Sequence, residues 1–239
     1  DVADVHRLAI NAAAHLIGED PAYSRFAARL LMRWLVKEAH REGVRTFCDS
    51  IQVGLANGLV GDATARFVAQ HADALNAVIA EVEDQRNDLF QYFGLRTVAD
   101  RYLLRHPISR RVIELPQHWL MRVSCGLSES LDEAIEFYRL ISSLSYLPSS
   151  PTLFNSGSPR SQMSSCYLID SPADDLDAIY EAYQKVARLS KWAGGIGLAY
   201  HRIRSRGSLI RGTNGLSNGI IPWLKTLDSS VVAVNQGGR

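Results

Sequence analysis

Residues 146–169, YLPSSPTLFNSGSPRSQMSSCYLI, divide the chain into two styles of sequence. Upstream, apolar residues recur at helical steps. Here Pro148, Pro151 and Pro159, with Gly157 and seven serines, end that periodicity and demand an extended or turning backbone. The run CYLI that follows is short, apolar and partly β-branched, which reads as a buried strand. Cys166 stands at its mouth directly after Ser164 and Ser165. The residues by themselves leave two readings of it open, a small core side chain or a thiol that does chemistry.

Working outward toward the C-terminus, ADDLDAIYEAYQKVARLSKW reads as a helix capped by Asp174, with Asp177 three residues on as its capping-box partner. A second strand is expected in GGIGLAYHRI. Strand, helix and strand over about 35 residues make a βαβ unit with two parallel strands. Toward the N-terminus the spacing predicts helices at about 2–16, 45–58, 63–83, 111–124 and 129–144. Another follows Asp20-Pro21, a carboxylate and a proline suited to a first turn. QYFGLRTVADRYLLR fits either a helix or a short strand with turns. The fold class is therefore α/β, with a mainly helical domain over 1–147 followed by an α/β domain over 148–239.

Composition narrows the function. The 239 residues are 46% hydrophobic and 21% charged, enough for a sizeable core, and the formal charge of +1 gives no general attraction to nucleic acid or anionic membrane. No apolar run reaches the roughly 18 residues of a membrane span, and nothing resembles a signal peptide, so the cytoplasm is the expected compartment. Cys48, Cys125 and Cys166 lack CxxC spacing, which argues against a zinc site or a disulfide framework. No metal site is expected.

Three constellations could carry chemistry. Thr152, Ser164, Ser165 and Cys166 place hydroxyls and backbone N–H groups on a loop feeding a strand, which suits an anionic or polyhydroxy ligand as well as an ordinary polar turn. With no histidine nearby in sequence, a cysteine protease is not favoured. HRIRSRGSLIRGTNG, residues 201–215, spaces Arg202, Arg204, Arg206 and Arg211 among glycines, a pattern that forks around phosphate oxygens or is merely solvated. In WAGGIGLAY, Gly194, Gly195 and Gly197 mark either a tight bend or close approach of a ligand. Trp34 and Trp119 read as core, and His118 as a satisfied or exposed histidine rather than a ligand. Asp174, Asp175 and Asp177 most simply favour a helix N-terminus.

Taken together, SPTLFNSGSPRSQMSSCYLID, DDLDAIYEAYQKVARLSKWAGGIGL, RIRSRGSLIRGTNGLSNGIIPWLKT and the terminal VNQGG resemble, in order, the large catalytic subunit of ribonucleotide reductases. EDPAYSRFAARLL, DRYLLR and ELPQHWLMRVSCGL resemble the helical region before that family's barrel. The resemblance implies a helical domain followed by the first strands and helices of a ten-stranded α/β barrel, incomplete here. It implies an oxidoreductase that removes the 2′-hydroxyl of ribonucleoside diphosphates by thiyl-radical chemistry. Cys166 matches one of two reducing cysteines that end as a disulfide, Thr152 and Ser165 match residues lining the substrate, and Gly195 falls where backbone lies close to it. Asp174, Arg204 and Arg211 match the site where a deoxynucleoside triphosphate or ATP selects the substrate base.

The implied partners are a second copy, meeting through helices at about 175–191 and 217–234, a radical-generating small subunit with its metal, and a thioredoxin- or glutaredoxin-type reductant. No cofactor is expected on this chain itself, and a cobalamin radical source is the lesser alternative. Where the family often has Asp-Ser-Leu-Asp, this chain has Asp174-Asp175-Leu176-Asp177, so either Asp174 or Asp175 fits the effector position. The family's finger-loop residues and second reducing cysteine have no counterpart in residues 1–239. These residues alone are therefore expected to be inactive without the remaining C-terminal portion. The rival expectation is a nucleotide-effector or scaffold module with no redox chemistry.

Overall fold

The computed structural model describes residues 2–191 and 194–234. Trp192, Ala193 and the part of VNQGG beyond Val234 lie outside the described residues. The chain divides into two compact units, Asp1–Met163 and Ser164–Arg239.

The first unit is helical: α1 (Val2–His15), α2 (Ala22–Arg41), α3 (Phe47–Ala56), α4 (Asp62–Gln70), α5 (Ala72–Asn87), α6 (Tyr92–Arg101), α7 (Pro116–Leu127), α8 (Leu131–Ser142) and α9 (Ser150–Asn155). Local signals start several of these helices. Asp20 accepts the N–H of Ala22 at 2.8 Å ahead of α2, and Thr46 with Asp49 closes a reciprocal capping box on α3. Ser130 caps α8 by accepting from Glu133. Ala27, Leu31, Leu35 and Ala39 recur on one buried face of α2, which packs on α1 and α6. The central element is α7, buried all round from Pro116 to Cys125 and touching α3, α4, α5, α8 and α9. Its polar side chains are therefore committed inside the core. Gln117 donates to Asn87 and accepts from Tyr138, and Arg122 pairs with Glu114.

Several expectations from the sequence are resolved or corrected here. The helix expected over 63–83 is two helices, because the backbone leaves helical geometry at His71 (φ −121°, ψ 21°). This turn lets α4 pack on α3 and α7 while α5 reaches α7 and α8. The helix expected at 111 starts at Pro116, since the residue before a proline disfavours helical geometry; Leu115 is extended, and Val112 bridges Arg105. The ambiguous segment at 91–105 is mainly helical, as α6. The proline-rich stretch is not wholly extended: Pro151 sits in the first turn of α9. The first unit also runs past the change of composition at residue 148, because α9 is fastened to α7 by Trp119 and Arg122.

The second unit opens with β1 (Cys166–Ile169), α10 (Leu176–Ser190) and β2 (Gly195–Leu198), the expected parallel βαβ order, with Cys166 opposite Gly195 and Ile169 opposite Leu198. A small antiparallel hairpin, β3 (Leu209–Ile210) and β4 (Gly215–Leu216), precedes α11 (Ile221–Val234). The sequence reading does not include this hairpin, whose four-residue loop, 211–214, ends at Asn214 with φ 55°. Nor is β1 buried as its composition suggests. Among the described residues it pairs only with β2, the sheet is not closed, and Leu168 is 93% exposed. The helix expected over 217–234 begins only at Ile221, after Gly219 with φ 75°.

Candidate functional site

β1 and β2 bring three of the expected residues together. The N–H of Gly195 donates to the carbonyl of Ser165 at 2.7 Å, in register beside Cys166. A Cβ on residue 195 would lie 3.7 Å from Cys166 Sγ and 3.3 Å from Ser165 O, so glycine keeps the flank of the thiol open. Cys166 is exposed, whereas Cys48 is half-buried and Cys125 buried. Burial pushes the Cys125 thiol up to about 12 and raises that of Cys48, which also contacts Asn76 and the carbonyl of Ala72. Thiolate chemistry is thus suppressed at both.

Thr152 belongs to the first unit. It lies on α9, where its hydroxyl donates to Met163 O at 3.3 Å and lies 3.4 Å from that of Ser149. The position of α9 is set from below. Trp119 Nε1 donates to Leu153 O at 2.9 Å, Ser156 Oγ to Val123 O at 2.7 Å, and Arg122 Nη1 to Ser156 O at 2.5 Å. Arg122 and Glu114 are 1% and 0% exposed and form a two-point pair at 2.6 and 3.2 Å, with Glu114 also accepting from Leu104 N. Each guanidinium nitrogen of Arg122 has an acceptor, which is the condition under which burying two charges is tolerated.

A second cluster lies at the start of α10. Asp175, not Asp174, caps the helix by accepting from Ala178 N at 2.8 Å. This corrects the expected cap by one residue. Asp174 is thereby left to Arg204, whose Nε donates to its carboxylate at 2.6 Å and whose Nη2 donates to its carbonyl at 2.9 Å. Both side chains keep about 30% of their surface exposed, at 30% and 31%. Arg211 is exposed at the turn of the β3–β4 hairpin, and among the described residues no hydrogen bond joins it to Asp174 or Arg204. Arg202 is structural: it donates to Asp170 at 2.6 Å and to Ser171 O at 3.0 Å, tying the segments that follow β1 and β2. Hydrogen bonds from the Ser171 N–H and from Arg202 hold the Asp170 carboxyl below its ordinary range. Among the described residues no group of three or more His, Cys, Asp or Glu could hold a metal ion. No helix among them is long and apolar enough to cross a membrane.

A helical unit followed by an open parallel βαβ unit, with an exposed cysteine on the first strand and an aspartate–arginine pair ahead of the crossover helix, defines a chain that passes from an all-α domain into an α/β domain. The sequence model of the all-alpha domain of ribonucleotide reductase matches residues 88–161, and that of its barrel domain matches residues 164–239. The two meet where the compact units divide. The chain belongs to the ribonucleotide reductase family. It is 39% identical to the ribonucleoside-diphosphate reductase large subunit of Plasmodium falciparum (isolate Dd2) over 98% of its own length and 29% of that protein's. The large subunits of Vaccinia virus (strain Copenhagen) and Arabidopsis thaliana are 38% and 37% identical, each over 99% of this chain and over 31% and 29% of their own lengths. The chain therefore spans less than a third of the curated relatives it matches.

Proposed function

We propose that this chain forms part of the catalytic subunit of a cytoplasmic ribonucleoside-diphosphate reductase and supplies one of the two thiols that reduce the ribose. The observation that carries the reading is the placement of Cys166: an exposed thiol on a barrel-domain strand, flanked by a glycine that keeps the approach open. A dithiol suffices chemically. The C2′–O bond breaks and the hydroxyl leaves as water with one proton, hydrogen replaces it at C2′, and two thiols become a disulfide. In this reading the second thiol and the thiyl radical that takes the 3′ hydrogen belong to the remaining C-terminal portion of the subunit. A radical-generating small subunit supplies the radical, and a thioredoxin- or glutaredoxin-type protein reduces the disulfide. Ser165, directly before Cys166, lines the substrate.

Asp174, Arg204 and Arg211 are proposed to bind the dNTP or ATP effector. Guanidinium groups on a glycine-containing loop suit a triphosphate, and Asp174 suits sugar or base donors. A homodimer through α10 and α11 is proposed with it. α11 is largely apolar yet has no buried residue, and Leu176, Tyr180, Ile221, Leu224 and Val232 expose large apolar surface on the two helices.

In the full-length protein containing these residues, Cys166→Ser is expected to abolish multiple-turnover deoxynucleotide formation with a dithiol reductant while dNTP binding persists. Arg204→Ala and Arg211→Ala are expected to weaken dNTP binding. Unchanged turnover in Cys166→Ser would remove the role given to the thiol. Effector binding by a wild-type protein that never reduces nucleotides would favour a binding module instead.

A further inference from the structure

The arginine loop leaves β2 through Tyr200 and returns to regular structure in the first turn of α11, and both of its ends meet one side chain. Tyr183, on α10 and 5% exposed, donates its hydroxyl to the carbonyl of Trp223 at 2.5 Å and accepts from the Tyr200 hydroxyl at 3.3 Å. Around this phenol lie Ile179 and Ile203, with Leu198, Ile220 and Leu227 packed against them, so apolar residues from both ends of the loop share one small core. The Tyr183 and Trp223 rings meet edge to face, 6.5 Å apart. Inside the loop the strands continue to pair. Gly207 N donates to Ser217 O and Ser217 N to Ser208 O, both at 2.8 Å, ahead of the β3–β4 ladder. The hairpin that carries Arg211 is thus rooted in a stem whose base is the Tyr183 hydroxyl. Burial, then the Tyr200 hydroxyl, push the phenol above its ordinary range, so it remains a donor at neutral pH.

We infer that Tyr183 is a positioning residue for the effector site: its hydroxyl clamps Tyr200 to Trp223 and so holds the stem from which Arg204 and Arg211 are presented to a nucleoside triphosphate. The inference rests on the effector reading of this loop. Its physical basis is preorganisation, because a loop fixed at its base loses less conformational freedom when it closes on a ligand. Tyr183→Phe keeps the ring and its packing and removes only the hydroxyl. A pure packing role would leave that variant unchanged.

The test uses the full-length protein with Tyr183→Phe, Tyr200→Phe and the double variant, reading thymidine triphosphate affinity by calorimetry and amide exchange by mass spectrometry. Removing the hydroxyl is expected to weaken binding about 3- to 10-fold, the range of one hydrogen bond's net contribution. Exchange is expected to quicken within 201–220 and not along α10. Tyr200→Phe should show a smaller effect in the same segment, and the double variant should be no worse than Tyr183→Phe, since both act through one clamp. Unchanged affinity and exchange would overturn the inference, and so would additive effects or acceleration spread over α10 and α11. Should Tyr183→Phe fail to fold, Tyr200→Phe carries the same comparison. A wild-type protein that binds no thymidine triphosphate would refute the effector reading, and the exchange data would then decide the clamp on its own.

Discussion

His118 shows how far a single residue's environment departs from what its neighbours in sequence suggest. It lies in α7 with 3% of its surface exposed, near Phe47, and its Nδ1 has no hydrogen-bond partner among the described residues. Burial lowers its pKa from 6.5 to about 4, opposed only by the charge of Asp49. The unfolded chain therefore binds the proton at higher pH than the folded one. Stability from this group is intact above pH 6.5, falls as pH drops toward about 4, and levels off below it, a loss of about 3 kcal/mol. Urea unfolding of wild type and His118→Leu at about pH 7.5 and 4.5 checks this: the pH-dependent loss should shrink by about 2–3 kcal/mol in the variant. Equal losses would show that the imidazole becomes charged without cost. At the other residue-scale surprise, Asp174 and Asp175 are indistinguishable as caps by type and spacing. Only the backbone at residue 175, extended at φ −139° and ψ 160°, assigns the cap and frees its neighbour for Arg204.

At the scale of elements, the approach of α7 to α9 decides where Thr152 stands. Gly126 lies in α7, and a Cβ there would fall 2.3 Å from Gly157 N, 2.4 Å from Ser156 Oγ and 2.8 Å from Gly157 Cα. Two of these atoms are backbone and cannot swing aside. Gly126→Ala is expected to destabilise the helical unit by at least about 1–3 kcal/mol. Gly94→Ala on α6, whose Cβ meets nothing within 4 Å, should be neutral or stabilising by up to about 1 kcal/mol. Denaturant midpoints of the two variants provide the comparison, and equal midpoints would contradict the close contact. The periods of α1, α2, α3, α8 and α10 were legible in the sequence because each buries one regular face. The break at His71 was not, since the apolar spacing runs through it and packing partners far along the chain impose the turn. The short helix α9 was hidden by prolines and serines that usually mark loops; its anchors, Trp119 and Arg122, are about 30 residues away in sequence.

For the whole molecule, the two units differ in how much they bury. The helical unit holds one extended core in which Leu35, Phe47, Ile51, Leu75, Leu95, Leu120 and Tyr138 are fully buried. In the second unit the buried cluster is Ile179, Tyr183 and Ile203. Local opening should therefore be far easier in the second unit. In a polypeptide of residues 1–239, amide exchange is expected to be slowest in α3 and α7 and at least about 100-fold faster in β1 and the β3–β4 hairpin, the ratio for a difference of roughly 3 kcal/mol in opening free energy. Comparable protection in both units would contradict this.

Sequence alone determined the order of parts: a helical region, a proline- and serine-rich passage, then strand, helix and strand, with the thiol and the arginines at positions whose motifs resemble the reductase family. Those features are local, set by side-chain period, turn residues and short-range spacing. Tertiary structure alone decided which aspartate faces Arg204, that β1 is exposed, that α9 is a docked helix, and that Tyr183 joins both ends of the arginine loop. Each of these depends on groups brought together across the chain. Hydrogen bonds and packing between distant residues leave no period in the sequence by which to read them.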